Sequence, residues 1–169
     1  NSFSNFSWSS FKILVIKLDG YAADRNLTGL IANQLMAKYQ RPVLLLNKVI
    51  NPETKEISWE GSGRGYDKSK FDNLREFLKE SGLVMYAEGH ANALGSGITD
   101  DNFETFINYS NNALKDFDFT PCYKVDFIFN GSDFKGNDIV EIAELKSLWG
   151  QGIEEPFIAI ENINVYSGN

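Results

Sequence analysis

Two short stretches hold the residues with the clearest chemistry. The first is Glu88-Gly89-His90-Ala91-Asn92-Ala93-Leu94-Gly95, which contains the only histidine of the chain. Gly82 and Gly97 flank it. Glycine tolerates positive φ and lets another group approach the main chain closely. Glycines around a single imidazole therefore mark a surface where a ligand can lie against backbone. The second stretch, Gly61-Ser62-Gly63-Arg64-Gly65, sets a hydroxyl and a guanidinium among three glycines. An arginine fork makes bidentate, charge-assisted hydrogen bonds to phosphate, a serine two residues earlier adds a donor, and main-chain N–H groups can join them. As residues alone, Ser62 and Arg64 are either a phosphate pocket or part of a glycine-rich turn with an exposed arginine. His90 either serves a phosphate or a base, or is a half-buried structural histidine. Tyr66 and Tyr86 flank the stretches, with faces suited to stacking or to core packing. The expectation is that two glycine-lined loops, distant in the chain, come side by side to receive an anionic group.

Other chemistries lack their residues. Metal-dependent phosphodiester hydrolysis needs clustered Asp and His ligands, often around two ions, and no close aspartate set accompanies His90. Asp100-Asp101 reads as a helix start. There is no phosphate-binding Walker loop, no paired CxxC and no serine elbow. The single cysteine, Cys122, excludes an internal disulfide, fits a reducing, cytoplasmic setting, and is expected to be buried.

The net charge of −7 argues against a general nucleic-acid coat, which would be basic. The charge is uneven: residues 1–99 carry 12 Lys and Arg against 10 Asp and Glu, and residues 100–169 carry 4 against 13. Both stretches lie in the slightly basic part, so a nucleic-acid contact is expected to be a local pocket rather than a long groove. No segment approaches the ~18 apolar residues of a membrane span, and no secretory leader pattern opens the chain.

The elements that must position these residues are legible in outline. Residues 1–10 read as a linker remnant. Phe11–Leu18 reads as a central strand covered on both faces. Leu27, Leu30, Ile31, Leu35 and Met36 predict an amphipathic helix over 27–39, capped by Asn26 or Thr28. Pro42–Leu46 is a second buried strand, and the strand–helix–strand order predicts a crossover and a partly parallel sheet. A third strand at 56–60 runs into the Gly61–Gly65 stretch. A helix opened by Asp67 or Ser69 closes at Gly82. Strand-like segments near Leu83–Tyr86 and toward Ile98 bracket His90. A helix opened by Asp101 and Glu104 reaches about Asp116. Strands at Tyr123–Phe129 and Phe157–Tyr166 enclose a turn at 131–137 and, over 139–148, either a short helix or a strand followed by a helix. The fold class is α/β: a mixed, about five-stranded sheet flanked by helices, with a small C-terminal β extension.

Taken together, Ser62-Gly63-Arg64 followed by Gly89-His90-Ala91-Asn92-Ala93-Leu94-Gly95 resembles the first type of DHH-associated domain, the C-terminal nucleic-acid-binding domain of DHH phosphoesterases. Leu30-Ile31-Ala32 followed by Arg41-Pro42-Val43 is similar to its first half. Leu148-Trp149-Gly150-Gln151-Gly152-Ile153-Glu154-Glu155-Pro156-Phe157 resembles a tail segment of RecJ-type single-strand-specific exonucleases. The resemblance covers about residues 11–166. It departs from the family pattern at Glu88, Gly65, Leu94, Trp149 and Ile153. It implies a nucleic-acid-binding domain over 11–120 and an extension over 121–169 leading toward an OB-like segment. It also implies a phosphate- and substrate-binding set of Ser62, Arg64, Gly89, His90 and Asn92, and single-stranded nucleic acid, DNA first, as partner. The catalytic domain, with its manganese or magnesium, would be a separate part absent from this chain, which would itself hold no metal and no catalytic residue. A family member acting on short RNA or cyclic dinucleotides, and a non-enzymatic protein-docking module, are the alternatives.

Overall fold

A computed structural model describes residues 11–20, 25–150 and 152–164. The expected linker at 1–10, the Asn26 side chain, Gln151 and the end of the predicted last strand lie outside the described residues. The chain divides into two compact units, one ending at Cys122 and one beginning at Tyr123.

The first unit is built on one mixed sheet. Its strands are β1 (Leu14–Leu18), β2 (Val43–Ile50), β3 (Ile57–Arg64), β4 (Tyr86–Gly89) and β5 (Ala93–Thr99), in the order β1-β2-β3-β5-β4. β1 and β2 are parallel, joined through helix α1 (Arg25–Tyr39) as strand–helix–strand order requires, and the other pairs are antiparallel. Helices α2 (Leu74–Glu80) and α3 (Asp100–Ala113) belong to the other side. The continuous apolar run Val43-Leu44-Leu45-Leu46 shows why: Val43 and Leu45 pack with Ala32 of α1, while Leu44 and Leu46 join Leu74, Leu78, Phe103 and Phe106 from α2 and α3. A strand buried on both faces needs no alternation.

Several expectations are corrected. The predicted central strand at 11–18 is the edge strand β1, and it starts only at Leu14. Phe11–Ile13 lie outside it, and the Lys12 N–H donates to Asn111 Oδ1 at 3.0 Å instead of to a strand. α1 buries only the second half of the predicted stripe, Leu35 and Met36. Leu27, Leu30 and Ile31 are exposed, whereas Thr28, Ala32, Leu35, Met36 and Tyr39 turn inward. Small side chains on that face let the helix sit close to β3. Thr28 is inside the helix and is not its cap. The glycine stretch 61–64 is not a loop: it continues β3 in register with β2 and β5. α2 is opened by Asn73, whose side chain accepts from Glu76 N–H, because Ser69 is engaged in a turn with Tyr66 and Phe71. α3 is capped by Thr99, ahead of the predicted acidic pair. Gly82, at φ 65°, follows the C-cap of α2 as expected.

The second unit holds a parallel pair, β6 (Phe127–Asn130) and β7 (Ile158–Glu161), with helix α4 (Gly136–Glu144) and a 3₁₀ turn over Leu145–Leu148 between them. The strand predicted from Tyr123 begins only at Phe127, since Asp126 ends the irregular lead-in by pairing both backbone and carboxylate with Phe157. Tyr123 is 75 % exposed. Cys122 is exposed, not buried.

Candidate functional site

The two stretches named first in the sequence meet at one end of the first unit's sheet. The register fixes this. Arg64, the last residue of β3, opposes Ala93, the first residue of β5. Gly89, the last residue of β4, opposes Leu94, so His90-Ala91-Asn92 form the β4–β5 turn beside Arg64. Opposed residues share a face. Ser62 opposes Leu45, and Arg64 opposes Val43, so both lie on the α1 side of the sheet.

The result is an open concavity of about 850 Å³. Arg64 and His90 both line it, with Gly29, Asn33 and Met36 of α1 as one wall and Ala91, Asn92 and Ala93 as the other. His90 is exposed and Arg64 is half-buried. The guanidinium is steered by its own neighbour, with Arg64 Nη1 donating to Gly63 O at 2.7 Å. Among the described residues it forms no ion pair. Asp67 lies at the rim and is the one carboxylate lining this concavity.

Gly29 explains how the guanidinium fits under the helix. A Cβ at that position would stand 2.5 Å from Arg64 Nη2 and 3.6 Å from Ser62 Oγ. The Arg64 and Ser62 side chains thus converge on a gap left by one helical glycine. Ser62 itself lines a smaller adjoining concavity of about 230 Å³, with Thr28, Glu60, Tyr86 and Gly95. Its hydroxyl is 2.9 Å from Thr28 Oγ1. Glu60 accepts from Tyr86 O–H at 3.1 Å there, so Tyr86 stands over the sheet face and not in the core. Across this face β5 contributes only Ala93, Gly95 and Gly97, the partners of Arg64, Ser62 and Glu60. The two glycines make room for the Tyr86 ring, which would stand 2.6 Å from a Cβ at Gly97 and 3.9 Å from one at Gly95.

Asn92 and Gly89 shape the site. Asn92 Oδ1 accepts the Leu74 N–H at 3.1 Å, Asn92 Nδ2 donates to Asp72 O at 2.9 Å, and Asn92 O accepts from Gly65 N–H at 2.9 Å. One side chain thus ties the turn to the start of α2. Any Cβ at Gly65 would collide with the Asn92 side chain, so this close approach requires glycine. Gly89 takes φ 123°, and a Cβ there would meet Ala93 O at 2.8 Å. Arg75 braces the same turn: Arg75 Nη1 donates to Gly89 O at 2.7 Å and Arg75 N–H to Ala91 O at 2.9 Å. Sequence reasoning missed Gly29, Thr28 and Arg75. No spacing signal joins residues 28 and 62; only the packing of α1 on β3 does.

Among the described residues no group of three or more His, Cys, Asp and Glu side chains could hold a metal ion, and beside Arg64 and His90 the concavity has one carboxylate, Asp67. The residues present do not fit a metal, and no chemical step is assigned to one here. Among the described residues no helix is long and apolar enough to cross a membrane.

No protein-family profile matches the chain. Over 166 residues, 98 % of this chain, it is 33 % identical to a Bacillus subtilis (strain 168) protein named "Putative SPbeta prophage-derived single-strand DNA-specific exonuclease YorK", and equally to a Bacillus phage SPbeta protein named "Putative single-strand DNA-specific exonuclease yorK". It covers only 28 % of the length of either. Its fold is that of part of RecJ from Thermus thermophilus, solved in complex with Mn2+ and with Mg2+. The TM-scores are 0.52 and 0.51 over 88 % and 87 % of this chain, at 17 % identity, covering 21 % and 22 % of those chains. The chain thus shares its fold with part of RecJ and its sequence with a segment of the two proteins named as single-strand-DNA-specific exonucleases, spanning less than a third of the length of the relatives it matches.

Proposed function

We propose that this chain is the strand-seating part of a single-strand-specific exonuclease, the bond-breaking metals being held by polypeptide outside it. The observation that carries this reading is that Arg64 and His90, 26 positions apart, share one concavity. Arg64 supplies a guanidinium that no carboxylate neutralises among the described residues. Such a fork suits the terminal phosphate of a bound strand. His90 stands exposed on the opposite wall, able to donate to the same phosphate or to face a group arriving from outside. Ser62 offers its hydroxyl one step further along β3, and exchanges its Thr28 partner for a phosphate oxygen when a strand is seated. Gly89 and Asn92 hold the turn that carries His90. The contribution to catalysis is orientation: a strand end held in one geometry relative to the reacting centre. The solved RecJ structures hold Mn2+ and Mg2+, and manganese or magnesium is the metal proposed for the parent protein.

The test is a titration of the chain and of Arg64→Ala with a 5′-phosphorylated single-stranded oligonucleotide. Removing a charge-assisted bidentate contact weakens binding by about tenfold or more. Equal binding by both proteins would remove Arg64 from the mechanism. Weakened binding to a long strand with unchanged binding to a dinucleotide would turn the assignment away from a terminal-phosphate seat.

A further inference from the structure

We propose that a bound strand does not stop at the Arg64–His90 concavity but runs on around the same end of the sheet, placing a further phosphodiester at Lys12 and Arg41. This rests on the reading of Arg64 given above and extends it to a second site.

The sheet register puts these residues together. Leu14, the first residue of β1, opposes Val43, the first residue of β2, and Val43 opposes Arg64. Lys12 and Arg41 each lie two residues before those strand starts. The sequence scatters Lys12, Arg41, Arg64 and Arg75, and the fold gathers them at one end of the sheet. Lys12 and Arg41 line a second concavity of about 430 Å³ with Tyr39, Gln40, Phe119 and Thr120. The last turn of α1 separates it from the first: Met36 lines one, Gln40 the other, and Gln40 N–H donates to Met36 O at 2.8 Å.

How these cations are held distinguishes them from those at the other end. Lys12 Nζ donates to Phe117 O at 3.1 Å, Arg41 Nη1 to Phe11 O at 3.1 Å, Arg64 Nη1 to Gly63 O and Arg75 Nη1 to Gly89 O. All four are oriented by backbone carbonyls, and among the described residues none is paired with a carboxylate. At the opposite end Lys17 is paired with Asp100 at 3.1 Å and Lys48 with Asp19 at 3.4 Å. Carbonyls fix a direction without cancelling a charge. A row of cations set this way, with Lys12, Arg41 and Arg64 outnumbering the carboxylates Asp67 and Asp118 that line the two concavities, presents a positive potential to a polyanion. The Arg41 guanidinium stands 5.8 Å from the ring centroid of Phe119, which is itself buried in the core. Asp118 is the counter-charge in this concavity. Both of its hydrogen bonds go to Thr120, and these, with the nearby charges of Lys70 and Lys12 after them, hold its carboxyl below the ordinary value, so it offsets part of the Lys12 charge. The contact is thus a track of separate cationic stations, longer than the single local pocket that overall composition suggests.

The experiment compares a 5′-phosphorylated dinucleotide with a dodecamer on the chain, on Lys12→Gln/Arg41→Gln and on Arg64→Ala. The double variant should bind the dinucleotide as the parent does and the dodecamer about tenfold more weakly. Its slope of log affinity against log salt should fall by about 1.4, the value for two phosphates on a single strand. Arg64→Ala should weaken both ligands. Because Lys12 and Arg41 also hold backbone, Lys12→Arg/Arg41→Lys is made alongside and should keep dodecamer affinity; Lys48→Gln, at the paired end, should change neither ligand. Undiminished dodecamer binding by the Gln pair overturns the track and leaves the Arg64 seat standing. Loss in both the Gln and the charge-keeping pair overturns it as well, since structure and not charge would then be responsible. Unchanged binding in Arg64→Ala overturns the seat itself.

Discussion

The hydroxyls of Thr28 and Ser62 meet at 2.9 Å across the interface between α1 and β3. This contact lines the smaller concavity and joins the helix to the strand that carries Arg64. A buried hydrogen bond of this kind contributes about 0.5–1.5 kcal/mol. In a cycle of Thr28→Val, Ser62→Ala and the double variant, measured by urea unfolding, the coupling should fall in that range and should stabilise the pair. A coupling near zero would mean the helix is held to the strand by apolar packing alone.

Gly29 separates stability from binding. Alanine there should strengthen α1 by about 0.5–1 kcal/mol, because a helical glycine is costly. Its methyl would displace only the far end of the Arg64 side chain. Gly29→Ala should therefore melt at or above the parent temperature while binding a 5′-phosphorylated strand more weakly. A variant that binds as the parent does would show that the guanidinium position is unimportant.

Asn92 has a positioning role that two substitutions divide. Asn92→Ala removes the acceptor for the first turn of α2 and the bond to Asp72, a loss of about 1–2 kcal/mol. Asn92→Asp keeps the acceptor and loses only the donor, so thermal unfolding should place it between parent and alanine. It also adds a negative charge to the concavity of Arg64. Phosphorylated-strand affinity should then fall further in the aspartate variant than its stability suggests.

Acid should weaken the paired end of the sheet. Asp100 accepts from Trp59 Nε1 at 2.6 Å and from Lys17 Nζ at 3.1 Å, with Lys17 above the rings of Trp59 and Phe103. The Trp59 hydrogen bond, and after it the Lys17 bond, hold the Asp100 carboxyl below its ordinary 3.8. A lowered native pKa gives stability that is complete above the unfolded value and is lost as pH falls through the native one. The stability difference between the chain and Asp100→Asn should accordingly be constant near neutrality and shrink below about pH 4. A difference that persists unchanged in acid would assign the effect to packing instead.

Much of the fold was legible because burial leaves a pattern. The run Val43–Leu46 announced a strand covered on both sides, and Gly82 announced a helix end. β1 misled because Phe11–Leu18 carries the same apolar signal, while edge or centre depends on which strands pair. α1 misled because Leu27, Leu30 and Ile31 have the right spacing, yet close packing on β3 favours the small face with Thr28 and Ala32. Glycines at 61 and 63 read as a loop because an isolated strand gains nothing from glycine. In the sheet Gly63 makes room for Leu44, Leu74 and Leu94. The pairing of Arg64 with His90 was visible through motif order. The work of Asn92 was not, since its partners Asp72 and Leu74 stand about twenty positions away and no periodicity links them. Lys12 and Arg41 were silent for the same reason: only the three-strand register makes them neighbours of Arg64.

The strand that floors the site, β5, turns Ala93, Gly95 and Gly97 toward α1, so its contribution there is peptide groups and one methyl. That bareness has an occupant: the Tyr86 ring would stand 2.6 Å from a Cβ at Gly97 and 3.9 Å from one at Gly95. The strand is the bed of an aromatic ring, tethered at its far end by the hydroxyl on Glu60. Enlarging Gly97 would therefore push the ring off its bed and strain that tether.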